Sequence, residues 1–238
     1  MRDELNSFVG NMMTAVNPQI IKMNAQKDRD GMMQLVYTSS KLSFIILFAF
    51  SIPFFLYADE FLHIWLGKVP PLCPLFLRLT LVEACILCLY TPISQISQAS
   101  GKIKYYQFTI SGVFVASFIL SCAVFLLRFN VYSVFVVAIV MAIVGLFCRL
   151  FILRKINNFD IGEYMRKVLM PMPMLVCVPF LVALPFLNML SHNYLSMTLI
   201  SGIGVVTCLS LFWLIAMQGN ERKFVTNIVK NRILRKVK

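Results

Sequence analysis

The chain has 238 residues, of which 59% are apolar and 13% charged, and its formal net charge is +12. Soluble domains carry about 45–50% apolar and about 25% charged residues, so this composition excludes a water-soluble fold. The basic residues lie between apolar runs and form no separate recognition element, so we expect no nucleic-acid partner. We expect membrane lipid to surround most of the chain.

Six apolar stretches are candidates for membrane-spanning helices, which need about 20 mostly apolar residues. Polarity does not alternate along them as it does in barrel strands. The predicted spans are 42–57, 72–97, 108–127, 129–148, 168–188 and 194–217. The predicted fold class is therefore all-α, a polytopic transmembrane helix bundle of six or seven spans.

The candidate for a seventh span, residues 5–21, is amphipathic. Apolar residues recur there at helical spacing, and Asn11, Thr14 and Asn17 lie between them. Such a helix either lies on the membrane surface or spans the membrane with one face toward a hydrated cavity. Periodicity alone leaves both alternatives open.

The basic residues are distributed unequally between the two sides of the predicted bundle. Most of the 22 lie before the first uniformly apolar span or after the second, fourth and sixth, and Lys41 and Arg149 are assigned to these connections. This asymmetry follows the positive-inside rule and predicts a cytoplasmic carboxy terminus. Residues 218–238 form a basic amphipathic tail that we expect to contact anionic headgroups.

The second predicted span is the one in which the sequence places charged residues, Arg78 and Glu83. At that depth each costs about 2.5–3.5 kcal/mol on insertion scales, so such groups normally face a bundle interior or a cavity. One hypothesis is that Arg78 attracts an anionic group and that Glu83 pairs with a cation, a proton or a basic neighbour. Alternatively, Arg78 extends to the outer headgroups and Glu83 makes a structural interhelical hydrogen bond.

Uncharged polar residues also occur on two of the predicted helices. Gln95 and Gln98 make the cytoplasmic end of the second span polar, as Asn11, Thr14 and Asn17 do for the first helix. These five are candidate cavity residues, because polar-faced helices beside apolar ones fit a bundle around a hydrated lumen. Ordinary interhelical hydrogen bonding explains them as well.

Prolines mark three candidate hinges. Pro18, Pro92 and Pro179 each remove a backbone donor from a predicted helix and favour a kink. Kinked helices are common in transporters, where freed backbone groups line cavities. Proline is also frequent in membrane helices generally, so the pattern favours a hinge without requiring one.

No catalytic signature occurs in the sequence. There is no H-E-x-x-H, G-x-S-x-G or nucleotide-binding loop, and the C-x-x-C of Cys85 and Cys88 has no second pair or nearby histidine. We therefore expect a protein that is not an enzyme and that needs no metal or cofactor. Its driving force would be an ion gradient, the membrane potential or the substrate gradient.

Several motifs resemble those of a known transporter family. The motifs are TAVNPQIIKMNAQKDRDGMMQLVYTSSKLSFIILFAFSIPF, then FLHIWLGKVP, then QISQASGKIKYY at Gln95–Tyr106. The first contains an N-P-x-I at the end of a helix (Asn17, Pro18), and the second an outer turn like L-W-L-G around Leu66. Together they resemble the polysaccharide biosynthesis, or O-antigen (Wzx-like), flippases of the MATE-like multidrug/oligosaccharidyl-lipid/polysaccharide superfamily.

The resemblance implies the carboxy-terminal lobe of a two-lobed flippase in the bacterial cytoplasmic (inner) membrane. Such proteins move a lipid-linked glycan to the outer leaflet by alternating access, as in lipopolysaccharide O-antigen assembly. It implies that basic cavity residues meet the diphosphate or acidic sugars, and Arg78 is the position that matches. It also implies a missing amino-terminal lobe or a partner chain, because family members have a first lobe that this chain lacks.

Two other functions stay open at this point. One is a cation-coupled multidrug exporter of the same superfamily, which would move soluble organic cations. The other is a non-transporting membrane scaffold of a glycan-synthesis complex. The basic Arg78 favours an anionic substrate over an organic cation, and a scaffold should tolerate replacement of Arg78 and Glu83.

Overall fold

A computed structural model describes residues 2–101, 103–189 and 194–216 of the chain. Within these ranges it contains helices and no strand. The α-helices are α1 (Arg2–Ala25), α2 (Arg29–Leu56), α3 (Ala58–Leu66), α4 (Cys73–Leu87), α5 (Tyr90–Ala99), α6 (Ile103–Leu126), α7 (Tyr132–Asn157), α8 (Ile161–Tyr164), α9 (Met172–Met189) and α10 (Tyr194–Leu211). Two π-helical segments, Met165–Leu169 and Phe212–Ala216, follow α8 and α10.

Six helical segments are long and apolar enough to cross a membrane. They are Arg29–Leu56, Cys73–Ala99, Ile103–Leu126, Tyr132–Asn157, Ile161–Ala183 and Ser196–Ile215. Large apolar side chains cover their outer faces; for example, Phe108 is 83% exposed and Leu126 is 79% exposed. The all-α, polytopic fold class is confirmed, and the protein is of the multi-pass membrane type.

The chain crosses the bundle alternately, so its connections collect at two ends. The α1–α2, α5–α6 and α7–α8 connections lie at one end, and the α2–α3, α3–α4 and α6–α7 connections lie at the other. Basic residues at the first end include Lys27, Arg29, Lys104, Arg154 and Lys155, and we call it the basic end. The cytoplasmic location of this end remains a prediction, and the tail at 218–238 lies outside the described residues.

Helix α2 is longer than the sequence indicates. It begins at Arg29 and not at residue 42, because Asp28 caps it: the Asp28 carboxylate accepts a hydrogen bond from the Gly31 N–H at 3.1 Å. Polar residues in its first half do not end the helix, since they pack against neighbouring helices. Lys41, assigned to a connection by the sequence, is therefore inside α2 and only 4% exposed.

Helix α7 also continues past its predicted end at residue 148. It runs to Asn157 and stops where Asn158 adopts the left-handed conformation, with φ 51°. Arg149 therefore lies inside the helix, not in the connection that follows it. Helices α2 and α7 thus each contain a buried charged residue, whereas Arg78 and Glu83 of the second span are half-buried.

The second span is divided into α4 and α5. Pro92 has no N–H to donate to the carbonyl of Cys88, and its ring crowds that carbonyl, so the helix is interrupted at Cys88 and Leu89. Pro18 and Pro179, in contrast, lie inside continuous helices. The break supports the choice of Pro92 as a hinge candidate, and motion at all three prolines stays a prediction.

Helix α1 packs along α2 and contacts both α4 and α5, the two halves of the second span. It therefore runs lengthwise in the bundle and does not lie across its end. Met13 and Ile20 are buried in the core, with exposures of 1% and 0%. This packing favours the membrane-spanning alternative for the amphipathic helix.

The direction of α1 can be tested by cysteine labelling. In a background without the seven native cysteines, we expect a membrane-impermeant maleimide to label Ser7→Cys and Lys27→Cys from opposite sides of the membrane. Asn130→Cys, in the α6–α7 turn, should share the side of Ser7→Cys. Intact and inverted vesicles provide the two sides, and labelling of both Ser7→Cys and Lys27→Cys from one side would show that this helix does not cross.

Candidate functional site

Arg78 lies at the end of the bundle opposite the basic end. Its Nε donates to the carbonyl oxygen of Phe55 at 3.1 Å, and its Nη2 lies 3.0 Å from Oδ2 of Asp59. The first contact satisfies a carbonyl in the last turn of α2, and the second reaches the first turn of α3. Arg78 thus connects three helices, and its role as an anion site stays a prediction.

The contacts of Arg78 with Phe55 and Asp59 predict that Arg78→Gln lowers the stability of the protein modestly. We expect it to lower the free energy of unfolding by about 1 kcal/mol, because the Asp59 pair is partly exposed and therefore worth little. Lys68→Gln, an exposed cation at the same end, is the matched control and should change stability less. Unfolding of both variants in detergent micelles measures the difference in stability. Equal stabilities would contradict a role of Arg78 in holding α2, α3 and α4 together.

Glu83 is half-buried on α4 and is engaged with other residues. Its charge also acts on Tyr90, at the start of α5. Glu83 thus lies on the route from Arg78 toward the basic half of the bundle, although it shares no described contact with Arg78. Its proposed roles, as cation partner or interhelical hydrogen-bonding residue, both remain untested.

The polar residues of α1 differ in their surroundings. Asn11 and Thr14 are exposed, and the Thr14 hydroxyl donates to the carbonyl of Gly10 at 3.0 Å. Asn17 is half-buried, and its Oδ1 has no hydrogen-bond donor among the described residues. Because exposed polar side chains on a spanning helix are poorly solvated by lipid, this face suits water or protein.

The two glutamines of α5 lie in different environments. Gln95 is buried, with 8% exposure, whereas Gln98 is exposed and lines a cavity. The structure therefore brings one of the predicted site residues, Gln98, to a concave polar surface. Arg78 lies at the opposite end of the span, so the predicted residues do not form one site.

Cys85 and Cys88 lie on either side of the end of α4 and are both buried. The Cys88 thiol donates to the carbonyl of Cys85 at 3.0 Å. In the described ranges, no group of three or more His, Cys, Asp or Glu residues has the arrangement of a metal site.

The cavity at Gln98 is bounded by α5, α6 and α7 and has a volume of about 260 Å³. Thr91, Ser94 and Gln98 line it from α5, and Arg149 lines it from α7. Arg149 is 5% exposed and is the residue that the sequence interpretation missed. The sequence did contain a signal. Arg149 lies within the apolar run GLFCRLFIL, and no residue of this run other than the arginine itself suggests that the helix ends there.

Arg149 is held by aromatic stacking and by its own helix. The central guanidinium carbon lies 3.5 Å from the centroid of the Tyr90 ring, and Nη1 donates to the carbonyl of Gly145 at 3.0 Å. The Tyr90 hydroxyl in turn donates to the carbonyl of Ala142. These contacts fix the plane of the guanidinium, and a desolvated cation over an aromatic ring gains about 2 kcal/mol.

The site has unsatisfied polar atoms. The Arg149 Nε and the hydroxyl of Tyr106 are both buried, and neither has a hydrogen-bond partner within the described part of the chain. Tyr106 lies close enough to the guanidinium for the two to interact electrostatically. No carboxylate forms an ion pair with Arg149 among the described residues. The arrangement can attract an anion and donate hydrogen bonds to it.

Lys41 is the second buried cation. It lies in α2 among other buried polar residues, including Thr38, Ser40 and Ser43, and it has an interaction partner. The hydroxyls of Ser40 and Ser43 are buried without a hydrogen-bond partner in the described structure. The interior of the bundle is thus polar at this level, although apolar residues surround it.

Comparison with known proteins returns no match. No family model, no curated protein and no solved structure matches the chain. The class of protein is therefore defined by the fold alone, as a helical bundle with six helices able to cross a membrane.

Proposed function

We propose that the chain is a lobe of a membrane transporter that translocates a lipid-linked oligosaccharide or polysaccharide precursor across the bacterial cytoplasmic membrane. The observation that carries the proposal is the burial of two cations, Lys41 and Arg149, inside helices of a membrane-type bundle. Ionisable groups within such bundles are costly and mark substrate or ion pathways. The sequence resemblance to Wzx-like flippases supplies the substrate class.

Transport by this lobe would use binding and conformational change without covalent chemistry. The exposed polar face of α1 and the cavity at Arg149 would border a hydrated path, and a second lobe, in a partner chain or an additional segment, would complete it. The break between α4 and α5 gives the second span a place to bend. Rocking of the lobes would then expose the path to each side in turn.

The cavity at Arg149 distinguishes this proposal from the multidrug exporter. Its lining includes an arginine and no acidic residue among the described ones, which suits an anionic substrate better than an organic cation. A membrane scaffold has no need of a buried guanidinium that forms no ion pair with any described residue, because burying such a charge costs stability. Both alternatives are outcomes of the following test.

The test is translocation by the full chain in liposomes, alone and together with any second lobe that copurifies. We expect movement of a fluorescent lipid-linked oligosaccharide, and a loss of about tenfold or more in Arg149→Gln and Lys41→Met. Arg154→Gln is the matched control, since Arg154 is an exposed cation on the same helix.

Each alternative predicts a different result in the same liposomes. Movement of a soluble organic cation, with none of the glycan lipid, would identify an exporter. No movement of either substrate, with Arg149→Gln and Lys41→Met folded and retained in a glycan-synthesis complex, would identify a scaffold. Equal glycan-lipid rates in all variants would reject a path through these residues.

A further inference from the structure

The cavity at Arg149 has several hydrogen-bond donors for which the described residues provide too few acceptors. A guanidinium has five N–H groups. In the described structure one hydrogen bond of the Arg149 side chain meets hydrogen-bond geometry, from Nη1 to the carbonyl of Gly145. The Tyr106 hydroxyl, which lies near the guanidinium, also has no partner that meets hydrogen-bond geometry in the described ranges, and Thr91 and Gln98 add polar groups at the wall. These donors converge on one space.

The guanidinium is also without a contacting carboxylate in the described part of the chain. Arg149 is buried without an ion pair in the described ranges, and burying a charge in this way is expensive unless a partner compensates for it. Tyr90 offsets part of the cost by stacking, but a ring face supplies no hydrogen-bond acceptor. An anion with several acceptor oxygens would complete the site.

The position of Arg149 along α7 indicates which kind of anion could reach it. Arg149 precedes the end of α7 by about 12 Å, at 1.5 Å per residue, so it lies in the half of this helix nearer the basic end, within reach of a lipid of that leaflet whose phosphate group enters the bundle. Phosphate is the anionic group of lipid headgroups, and the planar fork of arginine matches phosphate oxygens.

The remaining lining matches an amphiphile. Gln98 and Gln107 lie toward the basic end, whereas Ile110 and Phe114 line the cavity farther along α6. A volume of about 260 Å³ holds a phosphate group, and the apolar residues would contact the start of a hydrocarbon chain. We propose that this cavity binds the phosphate group of an anionic lipid, which enters between α5 and α6 from the leaflet at the basic end.

The experiment measures binding to the purified full chain, without transport. Ligands are phosphatidic acid, diacylglycerol with the same chains, and inorganic phosphate, and the readouts are native mass spectrometry and the shift in unfolding temperature. We expect phosphatidic acid to bind about tenfold or more tightly than diacylglycerol, because charge-assisted bonds distinguish the two.

Variants locate the site. Arg149→Gln should weaken phosphatidic acid binding about tenfold or more, and Arg149→Lys, which keeps the charge but loses the fork, should weaken it less. Tyr106→Phe removes a hydroxyl that has no partner meeting hydrogen-bond geometry in the described structure, so the protein should stay folded while binding weakens about tenfold or more, the value of one charged hydrogen bond. Arg154→Gln, an exposed cation of the same helix, should bind as the wild type does.

The outcomes separate the two sources of phosphate. Binding of phosphatidic acid alone supports the lipid, and binding of inorganic phosphate with equal sensitivity to Arg149 supports the phosphate site but overturns its assignment to a lipid. Equal binding of phosphatidic acid and diacylglycerol, or unchanged binding in both Arg149→Gln and Tyr106→Phe, would overturn the site itself.

This inference deepens the proposed function and rests on it for its physiological meaning, since a lipid-linked glycan carries a phosphate group. The two can nevertheless fail separately. Binding without translocation in liposomes would reject the transport proposal and leave the site in place. Translocation in liposomes, together with phosphatidic acid binding that is unchanged in both Arg149→Gln and Tyr106→Phe, would reject the site and leave transport in place.

Discussion

Replacing Gly145 by valine is expected to destabilise the protein by about 1–3 kcal/mol, the usual cost of overpacking. A Cβ at this position would lie 2.8 Å from the hydroxyl oxygen of Tyr90 and 3.1 Å from Nη1 of Arg149. The first distance is too short for a real contact, so Tyr90 has to move. That movement breaks its hydrogen bond to Ala142 and displaces the ring on which Arg149 stacks.

Gly112→Val is the matched control for this substitution. Gly112 lies within α6, and a Cβ there would meet nothing within 4 Å. Because valine is a slightly better helix former than glycine, the control should be neutral or stabilising by a few tenths of a kcal/mol, on the order of the propensity difference. Unfolding in detergent micelles compares the two, and equal stability of both variants would contradict the close approach of α7 to Tyr90.

Gly145→Ala separates stability from binding. Its gain of about 1 kcal/mol in helix propensity offsets much of the cost of moving Tyr90, so the unfolding temperature should change little. The same Cβ crowds Arg149, and binding of phosphatidic acid should fall. A variant that keeps its stability and loses binding would place the effect at the cavity.

The fold class could be predicted because the requirement for a membrane span is local. About 20 apolar residues suffice to cross the hydrocarbon core, whatever the helix packs against. The predicted span 194–217 nearly coincides with the observed segment Ser196–Ile215, and the predicted span 108–127 ends one residue beyond α6 but starts five residues after α6 begins. Helix ends were less predictable where a charge interrupts the apolar run, because a charge ends the run without ending the helix.

Lys41 and Arg149 illustrate that limit. Each was assigned to a connection, since charged residues usually stay outside the hydrocarbon core. In the structure, neighbouring helices bury both, and the Asp28 cap and the left-handed Asn158 mark the actual ends. A capping aspartate three residues before a glycine is visible in a sequence, but the choice between that cap and a later start depends on tertiary packing.

The candidate site was harder to predict for a related reason. Arg78 was chosen by its depth in one helix, and its partners Phe55 and Asp59 lie on other elements. The stacking of Arg149 on Tyr90 likewise joins two helices that are far apart in the chain. Sequence periodicity describes the face of one helix at a time, so it could not bring these residues together.

The largest effect on stability is expected from Tyr164→Ala, at the end of α8. The Tyr164 side chain is 0% exposed, and its ring centroid lies 5.9 Å from that of Tyr37 and 5.7 Å from that of Phe159. Removing a buried ring costs about 3–5 kcal/mol, since the surrounding side chains cannot fill the cavity. The loss is enlarged here because the three rings connect α2 to the segment that enters α9.

Tyr164→Phe should behave differently, because it keeps the ring. The hydroxyl is buried and has no partner that meets hydrogen-bond geometry in the described structure, so its removal relieves an unsatisfied polar group. We expect the free energy of unfolding, measured in detergent micelles, to stay within about 0.5 kcal/mol of the wild type or to rise. A loss as large as that of Tyr164→Ala would mean that the hydroxyl is bonded, with Ser40 as the nearest candidate. The pair of variants thus decides whether the contact between α2 and α8 is held by ring packing or by a buried hydrogen bond.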